Sequence, residues 1–574
     1  MVTIQRQQAA KAGKIRQQTG SSVCVIGGIS LLDGGNCSAR NIAAIVSKRA
    51  SNGHGQNTPE EFLASRRDKS RGPLARRLLS CHSVCMLTPA EELGLSGLSL
   101  ASRVRKAFFR IPEGGLLSLM EQIRAEAKRR HLCYLRDGEE DVVHVMPLPL
   151  TMLPEQLSYL HYVTQTIQNA LKRFPDLYLQ DFAVRELLRM TPAEEKWLWD
   201  LWTPEQRESN PIFGRLDAMM DFISPMWKDS LKFVEPNLGG IGGLHLVPTA
   251  ENIIQDLVLP VLKAHDPELD LIIGRDIREL LMQEILDHLQ AIGRPANNIC
   301  FVEPKYSGSG PDEQEALAHY FHDRHGMKIM HADPAELTIS NGEVCYSGDP
   351  VDLAYRDYSV ADLIEIEGEG VNVQPMWRLF KENRIISSIT AELDQKSCWE
   401  ILTDPQFTQK YFNADERQVF RRHILWTRVV SDRGTQLPDG QPGGLLDFIR
   451  REQERLVMKP NRSYGGEGVL IGHLVTKAEW DLAIEKALTD PERWVVQELA
   501  SIPVSEFPVI GPDGKVYFEP FYTVMGFAST KYGLSILGRA SQKQVVNVAQ
   551  RGGMCALMMG HPPSSLHGPA AGRR

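Results

Sequence analysis

The sequence lacks long apolar runs, paired cysteines and internal repeats, and each absence excludes a class of protein. No run approaches the ~20 apolar residues that a membrane-spanning helix requires, so we expect no membrane insertion. The 9 cysteines are scattered and form no CxxC pair. This spacing argues against a disulfide framework and fits a reducing cytoplasm. Cys81, His82 and Cys85 lie close together, but no second cluster follows at zinc-ligand spacing, and we assign no metal to them.

Charge is divided unevenly along the 574 residues, whose formal net charge is -8. Residues 1–110 hold 17 of the 64 Lys and Arg and 6 of the 72 Asp and Glu, which leaves 47 against 66 for the rest. The basic charges are scattered among Ser, Gly and Gln without aromatic residues between them, which favours a poorly ordered extension over a nucleic-acid-binding surface. The apolar stretch "SSVCVIGGISLL" is too short and glycine-rich for a signal peptide, so we expect a cytoplasmic protein.

Periodicity divides the rest of the chain into three parts. Apolar residues recur at helical spacing within 153–202, and Thr191 before a proline and two glutamates is typical of a helix start. Short apolar runs then alternate with helical stretches, which predicts an α/β layer around a largely parallel sheet. These predicted strands are 231–237, 270–274, 298–304, 327–331 and 352–356. The last third crowds strands around one helix at 477–488 and indicates an antiparallel α+β domain.

A chain of this length exceeds one hydrophobic core, so several domains are expected. The predicted boundaries give a basic, poorly ordered extension (1–105), a mostly helical region (106–210), an α/β region (211–390), an α+β region (391–555) and a flexible tail (556–574).

The stretch "KPNRSYGGEGV" (459–469) places Lys459 before three closely spaced glycines, Gly465, Gly466 and Gly468. Glycine lets backbone N–H groups approach an anion without interference from a Cβ, and the lysine supplies a positive charge. The spacing differs from both GxxxxGK[ST] and GxGxxG. Taken alone, the loop is explained equally well as a phosphate-binding loop and as a hairpin turn.

Two further elements have the composition of a nucleotide site. In "WVVQEL" an apolar strand ends in Gln497 and Glu498, which suits an apolar adenine slot with polar groups at its edge. A buried strand that ends in polar residues has the same composition. Lys396, in "ELDQKSCWEIL", lies at the head of a helical stretch and is a second candidate for a phosphate contact, or an ordinary surface lysine.

A group of hard ligands lies upstream, in "GRLD" and "FVEPN". Glu235 and Asn237 are separated by one residue, so they point the same way from an extended segment. With Asp217 they supply two carboxylates and an amide oxygen, which are ligands that Mg²⁺ accepts. Asp221 competes with Asp217 on spacing alone, and "VEPN" is equally typical of a turn into the glycines that follow.

The combination resembles the ATP-grasp superfamily, whose members hold ATP between two α+β subdomains. In most members the ExN motif follows the lysines, whereas here Glu235 precedes Lys459 by 224 positions. This order is similar to the circularly permuted (type 2) branch, the glutathionylspermidine synthase-like proteins and carboxylate-amine ligases. The resemblance covers roughly 213–553. It implies a helical and pre-ATP-grasp-like α/β region followed by a circularly permuted ATP-grasp domain.

The resemblance also implies roles for individual residues and selects Asp217 over Asp221. Asp217, Glu235 and Asn237 would hold Mg²⁺, and Arg215 would face the transferred phosphate with Arg539 as a second catalytic residue; Asn547 aligns nearby. The ATP-binding set is Lys396, Lys459, Tyr464, Gly465, Gly466, Gly468, Gln497 and Glu498.

The function that this resemblance implies is an ATP-dependent ligase that joins a small-molecule or peptide carboxylate to an amine through an acyl phosphate. The alternatives are an ATP-grasp-type phosphotransferase and a nucleotide-binding regulatory protein without catalysis. No part of the chain matches the thiol amidase domain of bifunctional glutathionylspermidine enzymes. Hydrolysis is therefore not implied. Glutathione and spermidine are not implied as substrates either, because the residues that select them are not among those that carry the resemblance.

Overall fold

The first element among the described residues of the computed structural model is α1 (Pro89–Phe108), which begins in a capping box between Thr88 and Glu91. The structure describes residues 88–311, 313–463, 465–548 and 551–561. Because α1 buries Leu100 and Val104 at helical spacing, the prediction of a poorly ordered extension to residue 105 is wrong from Pro89 onward. The cysteine group at 81–85 lies outside the described residues.

Many of the other helices are preceded by a Ser, Thr, Asn or Asp that caps the first turn, which is the usual signal of a helix start. In chain order they are α2 (Glu113–Arg129), α3 (Pro154–Leu171), α4 (Phe174–Gln180), α5 (Phe182–Leu187), α6 (Pro192–Leu201), α7 (Pro204–Glu208), α8 (Trp227–Ser230), α9 (Leu246–Ile253), α10 (Leu259–His265), α11 (Ile277–Ala291), α12 (Gln314–His325), α13 (Val360–Gly368), α14 (Gln374–Lys381), α15 (Cys398–Thr403), α16 (Pro405–Tyr411), α17 (Ala414–His423), α18 (Leu445–Arg451) and α19 (Lys477–Thr489).

Most of the strands are short, except for one of 15 residues near the end of the chain, and they are dispersed along the sequence. They are β1 (Cys133–Arg136), β2 (Glu139–Val142), β3 (Leu150–Met152), β4 (Arg215–Met219), β5 (Lys232–Asn237), β6 (Leu271–Ile272), β7 (Asn298–Val302), β8 (Gly310–Pro311), β9 (Lys328–Ala332), β10 (Leu337–Ser340), β11 (Glu343–Tyr346), β12 (Asp349–Pro350), β13 (Leu353–Arg356), β14 (Ile385–Ile386), β15 (Thr427–Val429), β16 (Gly434–Gln436), β17 (Pro442–Gly444), β18 (Leu456–Pro460), β19 (Leu470–Ile471), β20 (Trp494–Glu498), β21 (Val504–Ile510), β22 (Val516–Thr530), β23 (Gly533–Ser541), β24 (Gly553–Met554) and β25 (Leu557–Gly560).

Three of the predicted strands, β7, β9 and β13, form a parallel sheet with β14, in the order β14-β13-β7-β9. The other two predictions of parallel pairing are wrong. The strand predicted at 231–237 is β5, which pairs antiparallel with β4. Of the strand predicted at 270–274 only the two residues of β6 form a strand, and β6 pairs antiparallel with β25. The burial patterns give the reason: β7 is buried along most of its length, whereas buried and partly exposed residues are mixed along β5.

Two antiparallel sheets account for most of the remaining architecture. A six-stranded sheet has the order β24-β23-β22-β4-β5, with β21 beside β22, so strands from the middle and the end of the chain share it. A four-stranded sheet has the order β15-β20-β18-β19 and rests on a hydrophobic core of its own, which includes Trp426, Leu445 and Trp480. The helices α18 and α19 pack on this smaller core, whereas most of the other helices and the six-stranded sheet pack on the larger one.

The predicted flexible tail also needs correction. Residues 557–560 form β25, which pairs with β3 and β6 and buries Leu557 and Met558. Residues 562–574 lie outside the described residues. Among the helices of the described ranges, none combines the length and apolar character that a membrane crossing requires.

Candidate functional site

A cavity of about 850 Å³ brings together residues of the six-stranded sheet, the four-stranded sheet and the carboxyl end of the parallel sheet. Most of the residues predicted for a nucleotide and metal site line it: Arg215, Asp217, Glu235, Asn237, Lys396, Lys459, Gly465, Gly466, Gln497, Glu498, Arg539 and Asn547. Gly468 instead packs against Pro460. Tyr464 lies outside the described residues.

The register of β4 and β5 explains why the upstream polar residues share one face. Asp217 pairs with Glu235 and Arg215 pairs with Asn237. Since side chains alternate along a strand, all four project toward the cavity. Asp221, the competing carboxylate, lies beyond β4 and accepts a hydrogen bond from the backbone N–H of Ile223, a local turn contact.

Asp217 lies between two arginines. Arg215 Nε donates to Asp217 Oδ1 at 2.9 Å, and Arg539 Nη2 lies 3.0 Å from Oδ2. Burial by itself would raise the pKa of Asp217, but the two guanidinium groups outweigh it and hold the pKa below its ordinary value. Asp217 is therefore a charged carboxylate whose two oxygens are both engaged by arginine.

Gly526 makes room for this ion cluster and was missed by sequence reasoning. It pairs with Asp217 across β22 and β4. A Cβ at Gly526 would lie 2.4 Å from Arg215 Cδ and 2.9 Å from Asp217 Oδ1. A glycine inside a long apolar strand was the available signal, because such a glycine often marks a close approach.

Both predicted phosphate lysines are buried at the cavity, Lys396 with 4% and Lys459 with 8% of its surface exposed. Lys396 Nζ donates to the backbone carbonyl of Ser463 and lies 3.4 Å from Glu235 Oε1. Lys459 Nζ donates to Gln497 Oε1 at 2.8 Å. Burial lowers the pKa of Lys459 to about 8, although Glu235 opposes the shift. The interpretation of Lys396 as an ordinary surface lysine is wrong, since it packs under the glycine-rich loop.

Gln497 and Glu498 both line the cavity, at the end of β20. Besides contacting Lys459, Gln497 donates through Nε2 to Thr427 Oγ1 at 2.9 Å and to the carbonyl of Val234 at 3.3 Å. Gln497 thus connects the four-stranded sheet to β5 of the six-stranded sheet. Burial raises the pKa of Glu498. The role of these two residues at the edge of an adenine slot stays a prediction.

The glycine-rich loop connects the antiparallel strands β18 and β19, so it is a hairpin connection. Gly465 and Gly466 adopt positive φ angles of 70° and 77° and line the cavity. Gly468 has φ 68°, and a Cβ there would lie 2.8 Å from Pro460 Cγ. The hairpin interpretation is confirmed, and the first two glycines border the cavity; phosphate binding by this loop stays a prediction.

The helical region contributes a contact that sequence reasoning did not anticipate. Arg462, in the glycine-rich loop, forms a bidentate ion pair with Glu194: Nη1 donates to Oε2 at 3.1 Å, and Nη2 donates to Oε1. Glu194 belongs to the capping box that starts α6 at Thr191, as the sequence predicted. Thr191 and Glu194 both line the cavity, so α6 forms part of its wall.

The carboxyl end of the parallel sheet also borders the cavity. β7 has β9 on one side and β13 on the other, so the order of the strands reverses at β7, and α/β proteins commonly bind ligands at such a point. Asp357 and Tyr358, which follow β13, line the cavity there. Asp394 also lines it and accepts a hydrogen bond from the N–H of Leu238 at 2.8 Å; burial raises the pKa of Asp394 to about 7.

Glu235 and Asn237 have the donor chemistry for Mg²⁺, one carboxylate and one amide oxygen beside each other. Mg²⁺ is commonly bound by one or two carboxylates, waters and substrate phosphates rather than by a full protein cage. Across the described residues, no group of three or more His, Cys, Asp or Glu could hold a metal ion. Glu235 and Asn237 fit a Mg²⁺ ion bound mainly by waters and phosphates, whereas both oxygens of Asp217 contact arginine.

No protein-family model matches this chain, and no curated protein sequence matches it either. Among solved structures, it is similar to a glutathione synthetase-like effector from Globodera pallida in its apo form, with a TM-score of 0.52 and 12% sequence identity. The likeness covers 78% of this chain and 98% of that one. At this identity it shows the fold alone. The predicted combination of α/β and α+β architecture is confirmed.

Proposed function

We propose that this protein is an ATP-dependent carboxylate-amine ligase with a circularly permuted ATP-grasp site. The observation that carries the proposal is the convergence of Glu235 with Lys396 and Lys459. The Nζ of Lys396 lies 3.4 Å from Glu235 Oε1, and Lys459 borders the same cavity. Because the glutamate comes first in the chain and the lysines follow, their meeting also supports the permuted order.

The reaction divides a difficult substitution into two steps. A carboxylate does not react with an amine at neutral pH. Its oxygen therefore first takes the γ-phosphoryl group of ATP, forming an O–P bond as ADP leaves. The amine nitrogen then attacks the acyl carbon, forming a C–N bond as phosphate leaves. Phosphoryl transfer depends mainly on positioning and electrostatic stabilisation, which a site of lysines, arginines and backbone N–H groups supplies.

Each part of the site has a role in this proposal. Lys396 and Lys459 bind ATP phosphates. Arg215 and Arg539 face the transferred phosphoryl group. For Arg539 this role is supported by its Nε, which is buried and, among the described atoms, has no hydrogen-bond partner, so its N–H is available to a phosphate oxygen. Glu235 and Asn237 would hold Mg²⁺, which neutralises phosphate charge when bound.

The glycine-rich loop and the apolar residues near it complete the nucleotide site in this proposal. Gly465 and Gly466 cover the phosphates and exclude water that would hydrolyse the acyl phosphate. The adenine ring packs among apolar side chains of the cavity wall, which include Leu425, Val457 and Leu499. Gln497 and Glu498 lie at the edge of that slot.

The first test is Lys459→Ala, with nucleotide affinity measured by calorimetry. Loss of a charge-assisted hydrogen bond predicts about 10- to 100-fold weaker ATP binding. Lys477→Ala, on the surface of α19, is the matched control and should bind ATP like the wild type. Unchanged affinity in Lys459→Ala would remove this loop from the nucleotide site.

The second test identifies the reaction. Purified protein is incubated with ATP, Mg²⁺ and a panel of amino acids, short peptides and polyamines, and ADP release is followed with mass detection of the product. An amide product with ADP supports the ligase. A stable phosphorylated product without an amide would identify a phosphotransferase instead, and tight ATP binding without turnover across the panel would identify a nucleotide-binding protein.

A further inference from the structure

One buried residue, Asn461, joins the two segments that carry the predicted phosphate lysines. It follows Lys459 by two positions, directly after β18, and only 2% of its surface is exposed. Lys396 lies on a separate segment before α15. The two segments are 63 positions apart in the sequence, so local structure does not fix the distance between their lysines.

Asn461 bonds three consecutive residues of the Lys396 segment. Its Nδ2 donates to Gln395 Oε1 at 2.9 Å, and its Oδ1 accepts from the N–H of Ser397 at 2.9 Å. Its backbone carbonyl accepts from the N–H of Lys396 at 3.2 Å. Its own N–H donates to the carbonyl of Arg493 at 3.1 Å, next to β20.

These contacts need an amide side chain. One atom must accept a hydrogen bond and its neighbour must donate one, in a single plane and at a short reach from the backbone. Aspartate would turn an acceptor toward Gln395 Oε1 and add a negative charge beside the lysines, and an apolar side chain would leave buried polar groups without partners. Asn461 also lines the cavity, although sequence reasoning gave it no role.

We propose that Asn461 is a positioning residue that sets the spacing of Lys396 and Lys459, and through it the preference of the site for a nucleotide that carries phosphates. This inference rests on the proposed ATP site. Asn461 joins the segment of Lys396 to the segment of Lys459 by hydrogen bonds. Both lysines are therefore in place before a phosphate chain binds, and binding does not have to fix either segment. Asn461 itself touches the lysine segment rather than the reacting atoms.

The test compares the affinities of Asn461→Ala for ATP and for adenosine, which has no phosphate. We expect about tenfold weaker ATP binding, because buried hydrogen bonds that hold both lysines are lost, and less than about twofold change for adenosine. A role in stability alone would not change the ratio of the two affinities. Gln395→Met removes the acceptor of the Asn461 Nδ2–H bond, together with the bond that Gln395 Nε2 donates to the carbonyl of Arg189, and should lower the ratio of ATP to adenosine affinity by about threefold.

Asn210→Ala is the matched control, since Asn210 also bonds several partners, Lys172, Ser388 and Thr390, and does not line the cavity. It should lose stability and keep the ratio. If folded Asn461→Ala keeps the wild-type ratio of ATP to adenosine affinity, the inference is overturned. The proposed function would still stand in that case, provided that the wild type binds ATP more tightly than adenosine. If Asn461→Ala does not fold, Gln395→Met decides. A wild type that binds ATP no better than adenosine would refute the proposed function and the inference with it.

Discussion

The two antiparallel sheets hold their charged residues at the cavity in opposite ways. On the six-stranded sheet, Asp217 is paired with Arg215 and Arg539, so the carboxylate is compensated within the sheet. On the four-stranded sheet, Lys459 is buried against the neutral amide of Gln497. The pKa values record this difference, because arginines lower that of Asp217 while burial lowers that of Lys459 to about 8.

This difference indicates how an anionic ligand would interact with each side. A lysine whose charge is poorly compensated gains more from a phosphate than an arginine already paired with a carboxylate. Under the proposed function, the four-stranded sheet would therefore bind the phosphates of the nucleotide, and the six-stranded sheet would hold its arginines and the proposed metal ligands in fixed positions. The predictions below test that division from the largest expected effect to the smallest.

Replacing both Glu235 and Asn237 by alanine should have the largest effect. Removal of the proposed Mg²⁺ ligands should lower Mg²⁺-dependent ATP turnover at least about 100-fold, because the metal neutralises charge in phosphoryl transfer. Asp221→Ala, on the turn beyond β4, is the control and should retain turnover. Turnover retained by the double variant would contradict the metal assignment.

Gly526→Ala should disrupt the ion cluster of Arg215 and Asp217 on the six-stranded sheet. The added Cβ would meet Arg215 at 2.4 Å and displace the guanidinium from Asp217. Overpacking of this kind typically costs about 1–3 kcal/mol, so denaturant unfolding should show a loss of that size together with lower turnover. In Gly274→Ala, where an added Cβ meets nothing within 4 Å, stability should stay near that of the wild type. Equal stability of the two variants would count against the close packing described here.

The pH dependence of ATP affinity tests the uncompensated charge of Lys459. Its pKa of about 8 means that free protein loses this positive charge as the pH rises through about 8, so ATP affinity should fall about tenfold between about pH 7 and about pH 9. Lys459→Arg should remove the decline, because arginine stays protonated. Stability responds in the opposite sense: the lysine has a pKa of 10.5 when unfolded, so burial of its charge destabilises the fold less as the pH rises from 8. An identical decline in Lys459→Arg would assign it to another group.

Glu194→Gln should have the smallest effect and tests whether the loop depends on α6. The amide keeps an oxygen for the capping box but removes the charge paired with Arg462. A less ordered loop should weaken ATP binding about threefold, since its ordering then opposes binding. The neighbouring Glu195→Gln, whose carboxylate bonds Tyr178, is the control. Equal ATP affinities in the two variants would show that the ion pair does not position the loop.

The sequence by itself determined most elements and the chemistry available to them. Helical periodicity and the Thr191 capping box predicted α6, and apolar runs predicted β7, β9 and β13, because these signals are local. Residue type also indicated Lys459 as a candidate for phosphate and Glu235 with Asn237 as candidates for Mg²⁺, because few kinds of side chain bind either ligand. Most of those residues line one cavity, and their roles stay predictions.

Only the tertiary structure decided which residues meet and in what environment. Sequence could not tell that β5 pairs with β4, that Lys396 is buried beneath the glycine-rich loop, or that Asn461 joins two distant segments. These facts depend on strand register and packing between residues far apart in the chain, for which local periodicity contains no signal. Burial then sets the pKa of Lys459, so the charge available to a phosphate is a property of the fold rather than of the residue alone.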